Sequence, residues 1–320
     1  MEESELFKKE YHTTMRIPDF YLVGAPKCGT TAMNQFLSQH PEIFIPSRKE
    51  FHYFGSDLEW RNYSISKQEY LSYFQEAGSE QLAGEASVYY LMSKCAAKEI
   101  KALNADSRII AMLRDPMDMI PSQHSQLLKT GNEFIVDLDE ALDAEPERRT
   151  GSKLPPKENK GMNKEFFYSK IARYSEQVER YFKTFGRKNV HIILYEDFKK
   201  DPASVYRGIL EFLGIDSSFQ PEFSYINTNR QIKTLWLWQL IKFPPQSLRQ
   251  IWRTILPNKV RGSVLRRLSH VYSKKGSREK LPENTSTRLQ AMYSDDVKQL
   301  ESILGRDLSC WLGGIRDEQS

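Results

Sequence analysis

Between Gly24 and Thr31 the chain reads Gly-Ala-Pro-Lys-Cys-Gly-Thr-Thr, directly after the apolar run Phe20-Tyr21-Leu22-Val23. Two glycines let a backbone turn tightly and approach an anion, and the N–H groups that open a following helix favour negative charge. Lys27 adds a cation, Thr30 and Thr31 add hydroxyl donors, and Ala25, Pro26, Cys28 and Gly29 complete a phosphate-binding loop. In the ATPase pattern GxxxxGK[ST] the lysine follows the second glycine. Here it precedes Gly29 by two residues and Thr30 stands in its place, which points to a phosphorylated donor other than Mg-ATP.

A second anion site is suggested at the end of the apolar strand Arg108 to Leu113, where Arg114 stands in place of a metal-binding aspartate. Arg114, with Ser122 about two turns along the next helix, offers a charge-assisted fork and a hydroxyl for another phosphate. Asp115, beside Pro116, suits a helix-starting acid better than a magnesium ligand.

These groups need a scaffold that alternates strands and helices. The apolar runs predict a buried strand near 19–24, a helix near 30–39, a short strand over 81–86 and a helix over 93–103. A strand over 108–113, a helix from Asp115-Pro116, a long helical stretch over 164–185 and a strand over 190–194 follow. That order implies a mostly parallel central sheet flanked by helices, a P-loop three-layer α/β/α fold. Residues 1–17 read as a polar lead-in and 18–320 as a single domain. Residues 144–163, charged and rich in Pro and Gly, read as a mobile surface loop. Residues 225–270 read as a helical acceptor-side cap, with Trp236, Trp238 and Trp252 among apolar neighbours.

The 320 residues are 39% hydrophobic, enough for a real core, and carry a formal net charge of +4. Residues 241–281 hold many Lys and Arg and a single acid, Glu279, which suits a polyanionic ligand or a solvated face about equally. The three cysteines, Cys28, Cys95 and Cys310, are too widely spaced for a zinc cluster and read as reduced thiols of a cytoplasmic protein. No run of about 20 apolar residues is present.

Taken together, these segments resemble the sulfotransferases that use 3′-phosphoadenosine 5′-phosphosulfate (PAPS). GAPKCGTTAMNQFL is similar to that family's 5′-phosphosulfate loop and RIIAMLRDPMDMIPSQHSQLL to its 3′-phosphate segment. PSRKEFHYF, GEASVYYL, ILYEDFKKDPASVYRGILEFLGI and LESILGRDLSCW extend the likeness over residues 19–312. The heparan-type and bacterial branch is closer than the steroid and phenol branch, whose KTHLP-like segment is absent. Cyanobacterial toxin-tailoring enzymes belong to the closer branch.

The resemblance implies roles. Glu50 of PSRKEFHYF maps onto the catalytic base and His52 onto its accompanying histidine, with Lys27 at the departing phosphate and Lys49 beside the acceptor. Arg114 and Ser122 map onto the 3′-phosphate. Lys274, Lys275, Gly276, Ser277 and Arg278 are the loose counterpart of a late basic loop over the same phosphate. Ser87 and Tyr89 of GEASVYYL are implied acceptor contacts, and Glu85 is read either as a second carboxylate in the site, useful for a cationic acceptor, or as a buried capping or ion-pair residue. Heparan-type enzymes carry a lysine where this chain has Ala86, so a polysulfated glycan is disfavoured as acceptor and a small metabolite, alkaloid-like molecule or saccharide is favoured. No metal is required for this chemistry, PAP is the product nucleotide, nucleic acid is not an expected partner, and oligomeric state is open, a homodimer being one option.

Two rivals stand beside this reading. A P-loop kinase needs Mg-ATP and an aspartate, for which Asp115 is the candidate. A non-catalytic nucleotide-binding protein on a membrane surface would use the Trp- and Arg-rich segment and leave Glu50 without a task.

Overall fold

The computed structural model describes residues 15–61, 64–154, 161–223, 230–232, 273–275 and 281–313. They fall into two compact units. The first takes its described residues from 1–57, 63–114 and 176–223, and the second from 58–62, 115–175 and 224–320. In chain order the elements begin with β1 (Phe20–Gly24), α1 (Thr30–Leu37), β2 (Ile43–Phe44), β3 (Trp60–Arg61) and α2 (Lys67–Ser72). Next come β4 (Leu82–Ala86), α3 (Ala96–Leu103), β5 (Arg108–Leu113), α4 (Pro116–Thr130), α5 (Leu138–Asp143) and α6 (Glu145–Arg149). After β6 (Gly161–Met162) lie α7 (Tyr168–Ile171), α8 (Tyr174–Phe185), β7 (Val190–Leu194), α9 (Tyr195–Lys200) and α10 (Pro202–Leu213). The last described are β8 (Arg230–Ile232), β9 (Ser273–Lys275) and α11 (Glu283–Leu304).

Unit one is built on a five-stranded sheet in the order β2-β4-β1-β5-β7, every pairing parallel. All five residues of central β1 are buried, as expected of a parallel strand covered on both faces. The chain therefore forms the α/β fold with a mostly parallel sheet flanked by helices that its sequence implied. Pairing sets Phe20 opposite Gly84 and Leu22 opposite Ala86 on one side, and Ile110 on the other. Gly84 is required by this packing, since a Cβ there would sit 2.1 Å from the Phe20 ring. Because the strands run the same way, their carboxyl ends share one edge of the sheet, the edge where ligands of open α/β sheets bind.

In unit two, Asp115 caps α4, accepting from the Met117 N–H at 2.8 Å, and Pro116 opens the helix as the sequence predicted. The 22-residue α11 buries Leu289, Tyr293, Val297 and Leu300, one apolar stripe at helical spacing. The Ser175 hydroxyl donates to its Asp296 at 2.5 Å.

Three expectations are corrected. Residues 144–163 are not one loop, since α6 occupies 145–149 and buries Arg148, which donates to Glu133 at 2.9 Å. Nor is 164–185 a single helix, because α7 ends at Ile171 and α8 starts at Tyr174. Within the supposed helical cap of 225–270, Arg230–Ile232 is strand β8, paired antiparallel with β9, and the cap's remaining residues lie outside the described residues. Several elements, β2, β3, α2, α5, β6, α9, α10 and α11 among them, have no counterpart in the sequence prediction. Among the described residues no helix is long and apolar enough to cross a membrane.

Candidate active site

Between β1 and α1 the chain turns through residues 25–29 into the helix, the segment that the sequence read as an anion cradle. Gly29 caps α1 in the left-handed conformation, φ 87°, which an L residue adopts at a cost. Having no side chain, it caps no N–H, and the first turn of α1 holds no acid. The amides of Thr30, Thr31 and Ala32 open a helix with no intrahelical acceptors, which is the donor set a phosphate takes. A phosphosulfate group fits this chemistry. The loop is pinned from below, as Ala25 N–H donates to the Met112 carbonyl at 2.6 Å and the Cys28 thiol to the Pro26 carbonyl at 3.3 Å. Lys27 sits at φ 64°, a conformation rare for a residue with a Cβ.

Arg114 follows β5 and turns to this loop. Its Nη1 donates to the Lys27 carbonyl at 3.3 Å, and its guanidinium lies 4.5 Å from the centre of the Tyr195 ring at the start of α9. A stacked guanidinium keeps its donor fork oriented. Ser122 is buried on α4 in unit two. Lys274 and Lys275 fall on β9, whereas Gly276, Ser277 and Arg278 lie outside the described residues.

The segment after β2 brings the carboxylate. Glu50 N–H donates to the Ala86 carbonyl at 3.1 Å, and its Oε2 accepts from the Val88 N–H at 3.1 Å, so the carboxyl end of β4 and the turn after it hold Glu50. Lys49 is the link to the cradle. Its Nζ donates to the Thr31 hydroxyl at 3.2 Å and lies 3.9 Å from Glu50 Oε1. Glu50 and His52 take left-handed backbone angles, φ 59° and 54°, costly conformations that cluster where function over-determines the fold.

Electrostatics separates the titratable groups. The Glu50 side chain keeps 29% of its surface open, yet protein encloses the carboxyl on most sides. That desolvation pushes its pKa up to about 6, against the opposing pull of Lys49 and the Val88 N–H. Burial first, and the Arg48 charge second, press His52 down to about 4, so its ring is neutral at physiological pH. Glu85 is 1% exposed, with the Tyr70 hydroxyl at 2.5 Å and the Ser87 hydroxyl at 2.6 Å. Burial pushes it up to about 7.

Glu50, Lys27, Lys49, Thr30, Thr31 and Arg114 are thus gathered at one sheet edge of unit one, with His52 on the same segment. Glu85 and Ser87 are each 1% exposed and hydrogen-bonded to one another, which for Glu85 is the buried role left open by the sequence. Tyr89 stays partly accessible. Two participants escaped the sequence reading, the Tyr195 platform and the Val88 N–H. For Tyr195 a signal existed in its place directly after a strand end; a main-chain donor leaves none.

A sulfotransferase-domain model matches residues 17–301. The chain belongs to the sulfotransferase family. The family's enzyme class, PAPS-dependent sulfuryl transfer, agrees with the donor-binding features above. A sulfotransferase structure from Alicyclobacillus acidocaldarius superposes with a TM-score of 0.66 at 27% identity, covering 92% of this sulfotransferase and 99% of that chain. A mouse bifunctional heparan sulfate N-deacetylase/N-sulfotransferase 4 is 25% identical over 94% of this chain. The membrane-associated sulfotransferase kil1 of Dictyostelium discoideum is 30% identical over 34% of it. These matches span 32% and 22% of those curated relatives' own lengths.

Proposed function

We propose that this sulfotransferase moves the sulfuryl group of PAPS onto a hydroxyl or amine of a small acceptor, a natural product or saccharide, with Glu50 as the base. One observation carries the proposal: Lys49 touches both the Thr31 hydroxyl of the donor cradle and the Glu50 carboxylate, so donor site and base share one cation. PAPS, when bound, supplies the activated sulfuryl group. Glu50 accepts the proton that the acceptor oxygen or nitrogen loses. Lys27, the α1 amides and the Thr30 and Thr31 hydroxyls offset charge on the 5′ side. Arg114, held by the Lys27 carbonyl and the Tyr195 ring, takes the 3′-phosphate, with Ser122 and the Lys274 to Arg278 segment as contributors on the strength of their motifs.

Similarity to a heparan-type relative supports a saccharide among the candidate acceptors. Ala86, buried at the end of β4, supplies no cation for a polysulfated chain. A cytoplasmic setting is part of the proposal, supported by three cysteines of which none is in a disulfide. The kinase alternative is weakened by Asp115, whose carboxylate is buried and occupied as the α4 cap.

The test is turnover of labelled PAPS against a panel of hydroxyl and amine acceptors by wild type and Glu50→Gln. The variant is expected to lose about 10²- to 10⁴-fold in kcat while PAP affinity stays unchanged. Turnover within a few-fold of wild type would remove Glu50 from the role.

A further inference from the structure

Behind Glu50 lies a second carboxyl that direct substrate contact does not explain. Glu85, on β4, receives the hydroxyls of Tyr70 from α2 and of Ser87, and a hydrogen bond from Tyr90 adds to them. Each of these partners reaches toward the base. Ser87 precedes Val88, whose N–H is the donor on Glu50 Oε2. The Tyr90 hydroxyl accepts from the N–H groups of Tyr53 and Phe54, at 3.0 and 3.3 Å, and so ties down the segment that leaves Glu50 and His52. The Tyr70 ring stacks on Tyr53, centroids 4.2 Å apart and planes within 6°.

We propose that Glu85 is the positioning residue of this enzyme: by holding Tyr70, Ser87 and Tyr90 it fixes the Val88 N–H and the 50–54 segment that aim Glu50 at the acceptor. The proposal rests on Glu50 being the base. Among the described residues, Glu50, Tyr21 on β1, Tyr70, Tyr90 and Tyr181 on α8 interact electrostatically with Glu85. Glu50 and Glu85 repel one another when both are ionised, so they titrate as a coupled pair. Once ionised, Glu85 accepts all three hydroxyls and the brace is complete. Activity therefore climbs with pH in two steps, at about 6 and about 7.

Profiles of kcat/KM against pH for labelled PAPS test this. Glu85→Gln is expected to keep PAP affinity, lose the upper step and lower the kcat plateau by roughly tenfold or more, within the ~10²-fold that a misplaced group costs. Ser87→Ala, a milder change that guards against misfolding of the first variant, removes a hydroxyl that holds the Glu85 pKa down, so its upper step moves to higher pH. An upper step unmoved in Ser87→Ala overturns the proposal. Infrared difference titration needs neither donor nor acceptor. It is expected to show a carboxyl ionising at about 7 that vanishes in Glu85→Gln and moves down in Glu50→Gln, because the Glu50 charge raises it. If this carboxyl behaves so while Glu50→Gln remains active, the base assignment has failed and the coupling stands. If no such carboxyl titrates, the positioning role itself is wrong.

Discussion

Glu50 combines two properties a base needs near neutral pH: a pKa raised towards the working range and a fixed direction. Burial supplies the first, the Val88 N–H the second. Because the ionised form accepts the proton, activity should rise as pH climbs through about 6, the lower step of the acid limb of kcat/KM. Lys49 pulls this pKa down by favouring the carboxylate, so Lys49→Met should move the limb to higher pH, read from the same profiles. A limb that stays in place would show that Lys49 does not set the base's charge. At this scale Glu50, Lys27 and Arg114 were legible because each is a side chain with a fixed place in a motif. Glu85 was legible as a residue but not in its task. Its partners Tyr70 and Tyr90 stand 15 residues before it and 5 after it, joined only by folding.

At the scale of elements, strand ends decide where the chemistry sits. β1, β4, β5 and β7 are parallel neighbours, so the cradle, the Ala86 to Val88 turn, Arg114 and Tyr195 emerge together. Close approach of β1 to β4 depends on Gly84 facing the Phe20 ring. Gly84→Ala is expected to destabilise the protein by about 1–3 kcal/mol through overpacking, measured by urea unfolding. A stability equal to wild type would mean that Phe20 has room to move. Long apolar strands were readable from periodicity, and Arg108–Leu113 and Val190–Leu194 fall where predicted. The two-residue β2 is too short to carry a pattern. Helix α6 was hidden because a stretch of Glu, Pro and Arg looks solvated until Arg148 is seen to meet Glu133, 15 residues upstream.

For the whole molecule, the Gly24–Thr31 loop, Arg114 with the Tyr195 ring, and the Glu50 and Glu85 carboxyls all belong to one compact unit, assembled from stretches as distant as Gly24 and Tyr195. Donor binding is therefore a property that this unit's own groups should carry to a large degree. Isothermal titration of the full chain with PAP, with ATP and 5′-AMP as controls and without added metal, tests the central claim most directly. Tight PAP binding, preferred over both controls and lost by tenfold or more in Arg114→Ala, is the expected result. Absence of PAP binding, or a preference for Mg-ATP when magnesium is supplied, would contradict it.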